Sequence, residues 1–190
     1  EQRARQLQAL ATELANAASN EQVLALGRAA LEAGFSGPCM LALTQDDGRL
    51  DLPADTDAMV HDGLVACIRE AAVLGPGTGR WPGLDAWFLP LGEKGHVAGA
   101  ACVRPAPAGD EAGREHAQAL CVLLGQALWR LRLSADMLQA QGEAHHQQLQ
   151  STFLAAISHD LRTPLASLVG LAESLAQLIR RYAALVDAAA

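Results

Sequence analysis

Residues 151–170 read STFLAAISHDLRTPLASLVG, and the spacing of the apolar positions decides what this part of the chain is. At about 100° per residue, Phe153, Ile157, Asp160, Pro164, Leu168, Leu171 and Leu175 fall in a stripe about 80° wide. That period predicts an amphipathic helix which buries one face against a partner. His159 lies about 140° from the centre of the stripe, so its ring is expected to face water. A neutral imidazole, with an unperturbed pKa of about 6.5, is available there to attack a phosphoryl group.

The run His159-Asp160-Leu161-Arg162-Thr163-Pro164-Leu165 resembles the H-box of the histidine-kinase A dimerisation and phosphotransfer domain of bacterial sensor kinases. The preceding Phe153-Leu154-Ala155-Ala156-Ile157 run stands in the right phase for it. The resemblance implies that His159 is the phosphoacceptor and that Asp160 accepts a hydrogen bond from the other ring nitrogen, fixing the tautomer and raising the basicity of the attacking one. It also gives Thr163, about 40° from His159 on the helix, the task of positioning water when the partner regulator is dephosphorylated. Arg162 is a further candidate. Pro164 removes a backbone donor and is expected to bend the helix. In the parent kinase the family's reaction moves phosphate from ATP, bound with Mg by a separate domain, to histidine and then to an aspartate of a response regulator. The bland alternative is that His159 and Asp160 are an ordinary surface pair.

Upstream, Leu120, Leu124, Ala127, Leu131, Ser134 and Leu138 alternate steps of four and three, the spacing of a coiled-coil seam that needs a partner helix. The same register reaches Gln141, His145 and Gln148, whereas the later stripe needs Leu149, Phe153 and Ala156. Two successive steps of four, 145 to 149 to 153, mark a stutter that unwinds the supercoil locally. A signal could change helix rotation there, and a frayed linker fits equally well. The pattern stays helical from the Pro105 to Gly109 linker nearly to the end of the chain. A helix of about 75 residues would be about 110 Å long, too long to fold back within one small globule.

Before the linker, Leu7, Leu10, Ala11 and Leu14 predict a helix over residues 3–18. Asn20 reads as the N-cap of a second helix that carries Val23, Leu24, Leu26, Ala30 and Leu31 and ends at Gly34. Residues 38–44 read as a strand, with Asp46-Asp47-Gly48 turning into a short partner over residues 49–52. Met59 to Ala72 returns to helical spacing, and GPGTGRWPG from Gly75 to Gly83 is a loop. Ala86 to Leu91 and His96 to Arg104 read as two strands joined by Gly92-Glu93-Lys94-Gly95 in a hairpin.

This order resembles a GAF domain. The stretches EQVLALGRAALEAGF, GPGTGRWPG and AWFLPLGEKGHVAGAACV, with a helix running straight into the H-box, resemble the Kdp type of potassium-responsive sensor kinase. The fold class expected is therefore α+β: an antiparallel GAF-like sheet flanked by helices, then a long coiled-coil helix leading into a dimeric helical bundle. The expected divisions are a sensory domain over 1–108, a signalling helix over 109–148 and a partial phosphoacceptor segment over 149–190. The resemblance implies a homodimer through the long helix, a cognate response regulator and a kinase ATP-binding domain as partners, and the cytoplasmic portion of an inner-membrane-anchored sensor as location.

The 26 residues after Pro164 hold Gly170 as their only glycine, so no Gly-rich ATP box is present among them and the chain is not expected to phosphorylate itself alone. LIRRYAALVDAAA keeps a helical stripe through Leu178, Tyr182 and Leu185. The rival to the kinase reading is a small-molecule-binding or dimerisation module whose H-box is unused.

Apolar residues are 51% of the 190 and charged residues 18%, enough for a buried core. A formal charge of -7, with no basic stripe, argues against nucleic acid as the main partner. Arg130 with Arg132, and Arg180 with Arg181, read as solvated helix faces. Cys39, Cys67, Cys102 and Cys121 lack metal-ligand spacing and read as reduced core thiols. The adjacent His145 and His146 point apart on a helix, and with His61 and His116 they read as solvated side chains and not as a metal site. GPGTGR is followed by Trp81-Pro82, where a phosphate loop needs Gly-Lys-Ser or Gly-Lys-Thr. A small ligand could lie between the sheet and the helix Met59 to Ala72, with Trp81, Trp87 and Phe88 near its mouth; collapsed packing there fits equally well.

Overall fold

In the computed structural model, residues 1–45, 47–107 and 109–188 are described, with the backbone alone for Asp160 and residues 182–188. The elements are α1 (Gln2–Ala15), α2 (Asn20–Gly34), β1 (Cys39–Leu43), α3 (Ala58–Glu70), β2 (Trp87–Leu91), β3 (Gly99–Val103) and α4 (Glu111–Ala188). They group into two compact units, Glu1–Ala135 and Asp136–Ala190, so the start of α4 belongs to the first.

The sheet of the first unit has the order β1-β3-β2, with both pairings antiparallel. Pro90 sits in the edge strand β2, where a missing backbone donor is tolerated. Alternation along the strands separates two cores. Leu41, Trp87, Leu89, Leu91, Ala101 and Val103 share one cluster with Leu10 and Leu14 of α1, Val23 and Leu31 of α2, and Leu120, Cys121, Leu124 and Leu128 of α4. Ala42, Phe88, Ala100 and Cys102 share the other with Val60, Leu64, Ala66 and Cys67 of α3. The expected α+β architecture is therefore present, with α3 opposite the other helices.

Local chemistry explains the element ends. Ser19, and not Asn20, caps α2: its hydroxyl accepts from the backbone N–H of Gln22, while Gln22 Oε1 accepts from that of Ala18 at 2.8 Å. Asn20 is the first helical residue because the serine one place earlier adopts the extended backbone a cap requires. Asp57 caps α3 by accepting from Met59 N at 2.9 Å. The expected short partner of β1 is reduced to a bridge between Thr44 and Leu50; of the turn proposed there, Asp46 lies outside the described residues.

The seam read from Leu120, Leu124 and Ala127 is spent inside the first unit, where all three are buried. The partner these positions need is their own domain: a Cβ on Gly27 of α2 would lie 2.6 Å from Leu124 Cδ1, so α2 and this leucine are already in close contact. Leu131 is partly buried against the same cluster, and Leu138 is exposed. Arg130 is also more than a solvated cation. Its guanidinium donates to the carbonyls of Leu14 and Ala17 at 3.0 and 2.9 Å, holding the C-terminal end of α1 to α4.

Burial pushes the Cys39 and Cys67 thiols up to about 11 and about 12, and raises Cys102 and Cys121 as well. All four are free, and at neutral pH they are protonated, poorly nucleophilic thiols. His116 is buried, not solvated, with Nε2 2.8 Å from Gln6 Oε1. Burial, aided by the nearby Arg3 charge, lowers its pKa. The unfolded chain therefore takes up the proton first, and stability present above the ordinary histidine pKa is lost as pH falls through and below it. Urea midpoints should drop between pH 7.5 and 5.5, and the drop should shrink in His116→Gln.

Candidate functional site

The second unit consists of the later part of α4. Three of its hydroxyls are occupied locally: Thr152, Ser167 and Ser174 each donate to the carbonyl four residues earlier. The same helix presents one strongly apolar face. Phe153 is 66% exposed, Leu168 61%, Leu171 68% and Leu175 61%. A single helix with so much apolar surface in water draws its stability from packing against others.

His159, Arg162, Thr163 and Pro164 all lie on α4 and are exposed. His159 and Thr163 are one turn apart, so the helix brings their side chains to one face. Thr163 also offers its carbonyl to Ser167 at 3.1 Å. Asp160 is on the same turn as His159, but its side chain lies outside the described residues, as do those of Tyr182 and Leu185. Pro164 is inside α4, which continues on both sides of it. An exposed imidazole on a rigid helix can be reached from outside by a bulky phosphoryl donor, and a nucleophile needs that access.

In the first unit, the expected ligand space between sheet and α3 is largely taken by Phe88. A Cβ on Gly63 of α3 would lie 2.3 Å from the Phe88 ring, so helix and ring are in direct contact. Trp87 does not share that mouth. Strand alternation turns it to the opposite core, where its indole donates to the Pro76 carbonyl at 3.1 Å and its ring meets Phe35 edge-on. Trp81 does stand beside Phe88, ring centroids 6.2 Å apart and nearly perpendicular. What remains is a cavity of about 160 Å³ lined by Met59, Leu84, Asp85, Ala86, Phe88 and Arg104. Arg104 and Asp85 were not singled out from the sequence, because a lone charge beside a strand carries no periodic signal. Among the described residues no cluster of three potential ligands for a metal ion is found.

Residues 149–189 match the His Kinase A (phospho-acceptor) domain. The sensor protein KdpD of Escherichia coli strain K12 is 31% identical over 181 residues, which is 92% of this chain; the chain spans about a fifth of the length of that relative (20%). Among solved structures, the native GAF domain of the potassium sensor histidine kinase KdpD from Escherichia coli superposes with a TM-score of 0.62 at 21% identity, covering 71% of this chain and 99% of that one. That likeness establishes the fold of the first unit. The chain thus joins a GAF-fold unit, similar to that of KdpD, to a segment that matches the His Kinase A phospho-acceptor domain.

Proposed function

We propose that this chain is the regulatory and phosphoacceptor portion of a two-component sensor histidine kinase serving a potassium or osmotic response. In this reading His159 takes the γ-phosphoryl group of ATP and passes it to an aspartate of a response regulator. The observation that carries it is the match of residues 149–189 to a phospho-acceptor domain; within that range His159 opens the run that resembles the H-box and is exposed on α4.

The chain's own residues do three things in this scheme. His159 attacks in line through a ring nitrogen; Asp160 orients and activates it; Thr163 holds water for the dephosphorylation of the regulator. Arg162 lies beside them, and Pro164 bends the helix near the reacting ring. ATP and Mg are supplied by a kinase domain outside this sequence, whose electrostatic clamp stabilises the transferring group. The exposed apolar face of residues 149–179 packs against a second copy, giving a homodimer through the long helix. The portion described is cytoplasmic, in a sensor anchored in the inner membrane.

The test supplies a separately purified kinase ATP-binding domain of this type, with labelled ATP, to the intact chain. Acid-labile, alkali-stable label on this chain is expected, together with its transfer to a cognate receiver domain. A folded, dimeric chain that never takes up label would overturn the reading and leave a sensory or dimerisation module.

A further inference from the structure

The cavity of about 160 Å³ beside Phe88 has one wall unlike the others. Met59, Leu84, Ala86 and Phe88 are apolar, and Arg104, just past the end of β3, is the cationic residue of the lining. Its Nε is buried with no hydrogen-bond partner among the described residues, and Arg104 forms no ion pair among them. Its described partner is the Cys102 thiol, which takes a side-chain hydrogen bond from it and is uncharged at neutral pH. No described group neutralises the guanidinium's charge, and a carboxylate in the cavity would supply charge-assisted hydrogen bonds to it.

The acid that shares the lining, Asp85, does not neutralise it. Asp85 is exposed, so its charge is screened, and its Oδ1 accepts from the backbone N–H of Ala106 at 3.1 Å. The size is also restrictive. A cavity of about 150 Å³ accepts a benzene ring, whereas drug-sized ligands need roughly 300 Å³ or more. On Phe88 itself packs the edge of Trp81, which adopts a positive φ of 55°, unusual for a bulky residue.

We propose that this cavity is a binding site for a small organic carboxylate, its apolar body against Phe88, Leu84, Ala86 and Met59 and its carboxylate paired with the Arg104 guanidinium. Such a ligand would touch α3, β2 and the end of β3 together, joining the elements around one core.

Benzoate is the probe, and benzamide its uncharged analogue of the same shape, each titrated calorimetrically into the 190-residue chain. Benzoate is expected to bind saturably at one site, and benzamide at least about tenfold more weakly. Arg104→Gln should cost benzoate about tenfold or more and leave benzamide unchanged. Asp85→Asn, which keeps the acceptor for Ala106 and removes a like charge, should tighten benzoate severalfold. No saturation below about 20 mM, a weak limit for so small a ligand, would overturn the proposal. Equal affinity for the two probes would also overturn it, and that comparison holds on the unaltered chain even if Arg104→Gln fails to fold. Neither His159 nor phosphotransfer enters the readout, so a negative result here leaves the phosphoacceptor reading standing.

Discussion

His159→Gln should abolish labelling of the chain by a kinase domain supplied in trans, a loss of at least about 100-fold that reaches background. Glutamine keeps a similar size and polarity and is a good helix former, so α4 should persist. What it removes is the feature the proposed reaction needs from this side chain, a ring nitrogen lone pair able to form and later release a phosphoramidate. Circular dichroism and sedimentation of the variant should match the unaltered chain. His145 and His146 are also exposed on α4 and serve as internal controls: replacing both by glutamine should leave labelling within about twofold, since accessibility without the H-box setting does not recruit the kinase. Label that survives His159→Gln and disappears from the double variant would move the phosphoacceptor upstream.

Gly125→Ala should destabilise the first unit, although alanine is the better helix former. A Cβ at position 125 would lie 2.2 Å from the backbone nitrogen of Gly92 and 2.3 Å from its Cα. Backbone cannot swing aside as a leucine tip can, so α4 must lift from the hairpin that joins β2 to β3. Helix propensity would return about 1 kcal/mol. Overpacking against a fixed backbone costs about 3 kcal/mol, for a net loss of about 2 kcal/mol. The lift would also disturb the neighbouring stack of His96 on Trp129, whose ring centroids are 4.2 Å apart. Gly142→Ala makes the same chemical change on the same helix with nothing within 4 Å of the new atom. There the propensity gain stands alone, and helicity should rise. Urea unfolding of the pair, monitored by tryptophan fluorescence and by far-ultraviolet ellipticity, should give opposite signs. Equal behaviour would mean that α4 does not approach the hairpin at Gly125.

Several elements were legible in the chain because their signals are local. The periodic apolar positions of α1, α2 and α3 placed these helices within a few residues, and the turn residues around 92–95 placed the hairpin between β2 and β3. The H-box is a contiguous word, so no folding was required to read it. Legibility failed where a residue's partner is distant in sequence. The step pattern of Leu120, Leu124 and Ala127 is the same whether the facing helix belongs to another chain or to its own domain, and only packing shows that α2 and the sheet already occupy that face. Arg130 looked like a solvated cation because the carbonyls it meets belong to residues 14 and 17. His116 looked solvated for the same reason, its partner being Gln6.

By itself the sequence determined the helical stripe and the exposed position of His159, which follow from spacing along one segment, and it carried the word that resembles the H-box. Tertiary structure decided the division of labour around it. It assigned the first turns of α4 to a domain core, sent Trp87 and Phe88 to opposite faces of one sheet, and placed Arg104 in the lining of a small cavity. The physical reason is that burial and charge pairing are properties of surfaces brought together from distant positions, and periodicity along a single segment reports only which face is apolar, never what covers it.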